Sequence, residues 1–439
     1  MNKQKWILKA QELGIQEFEI YQNLSYEKEV TWFNGTMDKF ETSKVLGTYI
    51  RGIIDGNMSN MYLEQVDDDN CDYILHQLIN QISIINSKEK DTIRQAENIE
   101  PIKKDTQWLT PSMDDVYKIM EQLEKKTLEY DERVIQVAHE SWNEAKETIS
   151  ITNSKGIDLV DEDQLQYLAM SVVVQQGQEI KDYTEIEILP DLSQFKMDEF
   201  ISRTVDKALL KLNSKSYPSM TSPVIFTSDA MRSLFSSFMG LFSGDLIHKG
   251  LSCLKGKENT QIFSKDITII DNPRNLDALC VRSFDDEGCP TSKKTLVDQG
   301  VFKLALQSTK SANRLGLEST GNGFRSGSDI AVQPLNCCIM PQDHSFEQMC
   351  EQMNEGLVIE SVTGLHAGID FVSTNFSLQA SGYSIKNGKR NQSISLITVA
   401  GNFMELMNDV EMIGNDLDWK YHTIACPSIY FKKCAISGE

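Results

Sequence analysis

The chain has 439 residues, too long for one ordinary core and suited to two or three domains of roughly 100 to 200 residues each. Its 64 acidic residues against 43 basic ones give a formal net charge of −21, which repels phosphate backbones and anionic membrane surfaces and argues against nucleic acid or membrane as partner. The acids are spread along the chain, as in Val66-Asp67-Asp68-Asp69, in the manner of solvated faces rather than of a dedicated site for a cationic partner.

From the N-terminus, Met1 to Lys9 lacks an apolar core of signal-peptide length, and no later run approaches the roughly 18 residues needed to span a bilayer, so a cytoplasmic location is expected. A short helix is expected over 5–13, then strands at 17–21, 27–33 and 46–54, with turns at Asn34-Gly35 and Asp55-Gly56. Ile74, Leu75, Leu78, Ile82 and Ile85 recur at helical spacing, which predicts a helix over 68–86 packed on that small sheet. The polar stretch 87–110 reads as a linker. Ser112 with Asp115 three residues on predicts the start of a helix carrying Val116, Ile119, Met120 and Leu123 on one face. Strands are expected at 134–138, 148–152 and 168–174, with Lys155-Gly156 as a turn, and Met197, Ile201, Val205, Ala208 and Leu212 mark a closing helix. The Ser- and Pro-containing stretch 213–223 reads as the main boundary.

Beyond it a strand at 224–226 precedes a capped helix over 229–241, after which the chain becomes mostly extended. Ser345 with Gln348, and Gly356, are expected to cap a further helix at both ends. Phe376, Leu378 and Ala380 alternate with polar residues, Asn387-Gly388 supplies a tight hairpin turn, and 394–399 makes the return strand. The fold class is therefore α+β: two small N-terminal α/β units (1–100 and 101–220) followed by a large β-rich C-terminal domain (221–439).

Candidate chemistry is sparse. Zinc hydrolysis on a helix needs two imidazoles one turn apart and a carboxylate to take a proton from bound water, and the six histidines at 76, 139, 248, 344, 366 and 422 contain no such pair. His139-Glu140 begins like H-E-x-x-H but has no second imidazole, and is expected to be an exposed helix or turn pair. His248 reads as a surface or hydrogen-bonding residue. The nine cysteines include no C-x-x-C pair, and read as reduced, mostly buried small hydrophobes; adjacent Cys337 and Cys338 are poorly placed for a mutual disulfide. Gly240 to Gly244 misses the nucleophile-elbow spacing. The run Gly321-Asn322-Gly323-Phe324-Arg325-Ser326-Gly327 looks phosphate-friendly, but its third glycine is one residue late for the dinucleotide fingerprint, and Gly256-Lys257 is followed by Glu258 rather than Ser or Thr; both read as loops.

What remains is a Gly-rich segment: Val362-Thr363-Gly364-Leu365-His366-Ala367-Gly368, then Asn375 to Tyr383, then Val399-Ala400-Gly401-Asn402 and Gly414-Asn415-Asp416-Leu417. Glycines 364, 368 and 382, interleaved with Thr363, His366, Asn375 and Ser381, either leave strand edges open to an extended peptide or mark turns and bulges in a folded sheet.

These runs resemble the C-terminal domain of the TldD/PmbA family, and Thr320 to Arg325 is similar to a T-G-N-G-x-R-like run there. The absence of H-E-x-x-x-H places the likeness in the PmbA (TldE) branch. In the TldD branch the zinc helix is followed by a Gly-Asp pair; Gly244-Asp245 stands at that place, and the preceding 235–240 offers Ser236, Ser237 and apolar residues instead of ligands. The family's third zinc ligand is a C-terminal cysteine, for which Cys426 is the counterpart, read here as a buried thiol. The resemblance implies peptide maturation and proteolysis, despite an older association with DNA gyrase. It further implies a chain with no catalytic residue and no metal or cofactor of its own. Zinc is then expected in a TldD-like partner, joined in a heterodimer or larger closed assembly, with unfolded peptide held on Thr363, Gly364, His366, Gly368, Asn375 and Ser381. The other readings are an autonomous homodimeric scaffold or peptide-binding protein, and a hydrolase with an unrecognised site.

Overall fold

The computed structural model describes residues 1–104 and 106–438; position 105, inside the expected linker, and position 439 lie outside the described residues. In the N-terminal half the chain runs α1 (Lys3–Glu12), β1 (Glu17–Phe33), β2 (Thr36–Ile54), β3 (Asn57–Leu63), α2 (Cys71–Ser83), α3 (Met113–Tyr130), β4 (Val134–Asn153), β5 (Asp158–Gln176), β6 (Glu179–Ile188) and α4 (Met197–Leu209). The strands of both N-terminal units join in one antiparallel sheet of order β3-β2-β1-β4-β5-β6, because β1 pairs with β4 from Glu19 opposite Asn153 to Trp32 opposite Glu140.

Side-chain alternation sorts the two faces of this sheet. Ile20 and Val30 share a parity and point to the helices: Ile20 packs with Trp6, Leu75 and Leu78 of α1 and α2, and Val30 with Met120, Trp142 and Phe200 under α3 and α4. Tyr21 and Ile151 point the other way and pack against Phe284 of the C-terminal domain. The caps follow the sequence: Asn2 accepts from Lys5 N at 3.0 Å, and Ser112 from Asp115 N at 3.2 Å.

The turns at Asn34-Gly35, Asp55-Gly56 and Asn387-Gly388 all adopt positive φ at both residues, the geometry that matches the twist of a two-residue hairpin. The strands they join are longer than their apolar pattern. β1 is continuous where two strands were expected, and β2 begins ten residues early, at Thr36, because 36–46 is exposed on nearly every residue and carries no alternation. β4 likewise runs unbroken through the polar stretch 139–147. His139-Glu140 is therefore a correction: the pair lies in β4, not in an exposed helix or turn, and Glu140 is fully buried opposite Trp32 and Met170.

The C-terminal domain contains β7 (Met220–Phe226), α5 (Ser228–Phe238), α6 (Gly244–His248), β8 (Ile269–Asp271), β9 (Lys294–Asp298), β10 (Val301–Phe302), α7 (Thr309–Leu315), β11 (Gly323–Ser326), β12 (Asp329–Val332) and β13 (Cys337–Ile339). It continues with α8 (Phe346–Met353), β14 (Glu355–Thr363), α9 (Leu365–Gly368), β15 (Ile369–Asp370), β16 (Asn375–Lys386), β17 (Lys389–Asn402), α10 (Phe403–Leu406), β18 (Val410–Ile413), β19 (Ile424–Ala425) and β20 (Ile429–Ser437).

The largest sheet has the order β14-β7-β20-β17-β16, and β14 also pairs with β16, so these five strands close on themselves. Phe226, Phe431, Leu378 and Val399 fill the interior, and α5 covers it with Met231, Leu234, Phe235 and Phe238. α8 carries the expected Ser345–Gln348 capping box, but its C-cap is Asn354, at φ +57; Gly356 already belongs to β14. The fold is α+β, with small N-terminal units and a large β-rich C-terminal domain. No helix among the described residues is long and apolar enough to cross a membrane.

Candidate functional site

Three places bear on chemistry. The first is the end of α5. Thr227 caps the helix, and Ser236 and Ser237 donate back to the carbonyls of Arg232 and Ser233 at 2.6 and 3.1 Å, so both hydroxyls are satisfied within their own helix. The chain then turns through 239–242. A Cβ at Gly240 would stand 3.1 Å from the Phe371 ring, which therefore occupies the space beside it. Gly244 lies against the Gln307 amide, and Asp245 is spent on Lys249 at 2.7 Å and Arg314 at 3.5 Å. Cys426 is 1 % exposed, and burial holds its thiol well above the ordinary range.

The histidines are scattered. His139 meets Ser141 Oγ at 3.1 Å, His248 meets Glu89 at 3.5 Å, and burial followed by the charge of Arg232 pushes His422 down to about 4. Among the described residues no group of three or more His, Cys, Asp or Glu side chains is arranged to hold a metal ion.

The second place is a groove between the central unit and the closed sheet, made of two adjoining cavities of about 370 Å³ each. Thr363 and Ser381 lie in it. Register explains the grouping: Ser361 faces Ser381, and Thr363 faces Gln379, which faces Thr398 on β17. The hydroxyls of Ser361 and Ser381 are 2.7 Å apart. Lys181, Lys207 and Lys211 line the opposite wall; Lys207 is tied to Glu185 at 3.0 Å, and Lys211 donates to the Asp182 carbonyl at 2.7 Å.

The remaining sequence-nominated residues stand outside the groove. Asn375 sits at the far end of β16 and accepts from Asn402 at 3.0 Å. Gly364 makes the positive-φ turn into α9 at φ +80 with open space around it, and His366 is exposed. Gly368 packs onto the Ser377 carbonyl. Of the two readings of the glycines, Gly382 follows that of a bulge in a folded sheet: its backbone pairs with Ile359 on one side and Ile394 on the other, beside a register shift on each, and a Cβ there would collide with the Val358 carbonyl. The open edge is elsewhere: β14 pairs with β7 only through Leu357–Ile359 and the Glu360 carbonyl accepts from Thr227 Oγ1, which leaves 361–363 unpaired on that side.

The third place is a buried charged cluster where the N-terminal sheet meets the C-terminal domain. Arg51 binds Glu19 at 2.7 Å and Glu287 at 3.4 Å, and Arg282 binds Asp286 at 2.8 Å and Asp161 at 3.2 Å. Asp285 accepts from the backbone of Glu287, Cys289 and Gly323; burial, then the adjacent charge of Glu287, pushes its carboxyl up. In the sequence, Asp285-Asp286-Glu287 has the look of a solvated acidic loop. The usable signal was its neighbourhood to Phe284 and to Arg282, which pairs with Asp286 four residues on.

Residues 219–438 match the PmbA/TldA metallopeptidase C-terminal domain, and 107–212 its central domain. The metalloprotease PmbA of Escherichia coli O157:H7 is 26% identical over 329 residues, 75% of this chain and 71% of that protein. An uncharacterized protein of Methanocaldococcus jannaschii is 28% identical over 421 residues, 93% of each. A Thermotoga maritima structure assigned as a modulator of a DNA gyrase superposes with a TM-score of 0.88 at 25% identity over 99% of both chains. TldE of Thermococcus kodakarensis shares the fold, with a TM-score of 0.89 at 23% identity over 99% of this chain and 100% of that one. With the C-terminal domain matched over half of its length and the central domain over the segment before it, the chain belongs to the PmbA/TldD metallopeptidase family.

Proposed function

We propose that this chain is the metal-free, PmbA/TldE-like subunit of an assembly in which a TldD-like, zinc-bearing chain cleaves peptide, and that this subunit holds the unfolded substrate extended. The observation that carries the reading is the end of α5, where both serine hydroxyls are satisfied internally and Phe371 fills the space beside Gly240. Activated water would come from the partner. Holding would fall to the groove, with the open 361–363 edge of β14 offering backbone pairing and Thr363, Gln379 and Ser381 offering hydrogen bonds to a peptide laid across them. Nine free cysteines fit a reducing compartment, in keeping with a cytoplasmic assembly.

The test is a peptide-release assay on this chain alone, a TldD-like chain from the same genome alone, and the two mixed. Cleavage should require both. Thr363→Val and Gln379→Ala, both at exposed positions, should slow cleavage while leaving co-elution in size-exclusion chromatography unchanged. Full activity of the partner by itself, or activity of this chain without it, rejects the reading. A homodimer that binds peptide but engages no zinc-bearing chain would favour the autonomous scaffold.

A further inference from the structure

The Thr320 to Arg325 run, with no role in the groove, delivers Arg325 to a second cavity of about 400 Å³ between β2–β3 and the α6, α7 and β11–β12 segments. The backbone N–H of Arg325 is fixed by Asp286 at 2.8 Å, and its guanidinium carbon stands 4.2 and 4.4 Å from the ring centroids of Tyr21 and Tyr49. Among the described residues it forms no ion pair; it donates to the Ser328 carbonyl at 3.3 Å, and Nε is buried without a partner. Arg51, 6 % exposed, lines the same cavity, and its Nη2 is likewise unpartnered. The two guanidiniums are close enough that, after burial itself, the charge of Arg51 is the next influence lowering the pKa of Arg325.

The cavity's carboxylates do not answer this excess. Asp245 is engaged by Lys249 and Arg314, Asp329 by Asn60 at 2.9 Å, and Glu287 by Arg51 and the Thr309 N–H at 2.7 Å. Lys310, at the rim and 42 % exposed, has only Asp91 at 3.9 Å. Two like-charged planar donors, one of them in no ion pair among the described residues and both with unmet N–H groups, form the kind of fork that recognises carboxylate or phosphate. The volume suits a small ligand.

We propose that this cavity binds a compact oxyanion, the carboxylate or phosphate group of a small ligand, with Arg325 and Arg51 as its floor and Lys310 at its rim. The inference does not rest on the protease-partner reading, since the cavity lies wholly within this chain.

Calorimetric titration of the full chain at low salt tests it, with inorganic phosphate, an N-acetylated tripeptide with a free C-terminal carboxylate, and the amide of that tripeptide as probes. Saturable binding of phosphate or of the free acid is expected. Preference for the acid over its amide identifies a peptide terminus as the source, and phosphate alone identifies a phosphate group. Arg325→Gln should weaken binding roughly tenfold to a hundredfold, as loss of a charged hydrogen-bond donor implies. Lys310→Gln, which alters an exposed side chain and should fold normally, is expected to weaken it severalfold. Absence of saturable binding by every probe overturns the proposal, as does unchanged affinity in Lys310→Gln, which decides the matter if Arg325→Gln fails to fold.

Discussion

Glu140 should make the protein less stable as the pH rises, and replacing it should remove that loss. Its carboxylate is fully buried under α3, neither oxygen has a hydrogen-bond partner, and burial, reinforced by the charge of Glu124, pushes it from 4.5 up to about 9. Glu124 cannot relieve it, being occupied by Trp32 Nε1 at 3.0 Å and the Asn34 and Gly35 N–H groups at 2.8 and 2.7 Å. Below pH 4.5 both folded and unfolded chains hold the Glu140 proton, and the group does not affect stability. Between 4.5 and 9 the folded chain holds more protons than the unfolded one, so stability falls as pH rises, and above 9 the penalty is constant. At about 1.4 kcal/mol per pH unit, the interval from 4.5 to 7 corresponds to about 3 kcal/mol at neutral pH. Glu140→Gln keeps the shape and cannot ionise. Urea unfolding of both proteins at pH 6, 7, 8 and 9 should show the wild type losing about 3 kcal/mol relative to the variant between pH 6 and 8. Parallel pH profiles would refute the reasoning, since they would mean that the carboxylate is charged in the folded chain and finds compensation there.

Elemental analysis of protein purified without chelator should find well under one zinc per chain; one tightly bound zinc would contradict the reading of the α5 end. Gly364→Ala should cost about 1 kcal/mol, because the position has room but a positive φ, whereas Gly368→Ala should cost several times more or prevent folding, because its Cβ meets the Ser377 carbonyl; equal costs by thermal denaturation would count against this distinction. Asp416→Ala should destabilise by about 2–4 kcal/mol, since its carboxylate accepts from Ser428 N at 2.7 Å and Ser428 Oγ at 2.6 Å, and a melting temperature unchanged within error would show these bonds to be without net value.

Much of the fold was legible because its determinants are local. Hairpin turns are set by two residues, as at Asn387-Gly388, and helix starts by a hydroxyl and the amide three residues on, as at Ser112 and Ser345. The long strands were not, because alternation is visible only where one face is buried: β2 from Thr36 to Leu46 is exposed on both faces, and the polar middle of β4 hides Glu140 and Glu144 under the helices. Glu144 is made tolerable there by Lys28 at 2.5 Å, a partner 116 positions away in the chain and joined to it only by the β1–β4 register. The buried charged cluster escaped for the same reason, since Arg51, Glu19 and Glu287 come from three separate segments.

Thr363, Gln379 and Ser381 of the groove lie within the runs that announce the family, yet the residues that packing fixes in those runs are others. Gly368 and Gly382 are required where one strand's carbonyl comes too near for any side chain, and Asp416 ties the turn before β19 to the start of β20. Such contacts admit one residue type and so produce a recognisable pattern, but they serve closure of the sheet and expose little to a ligand. The groove obeys a looser rule. Ser361, Thr363, Gln379 and Ser381 only need to be polar on the outward side of β14 and β16, and period-two alternation supplies that without any fixed motif. Thr363 and Ser381 were picked out from sequence because each stands next to a glycine, whereas Gln379, inside the same run, and Ser361, just before the first, carry no signal until the register is known. A motif built on steric necessity thus locates the scaffold, and the surface that meets substrate has to be found from which side chains that scaffold turns outward together.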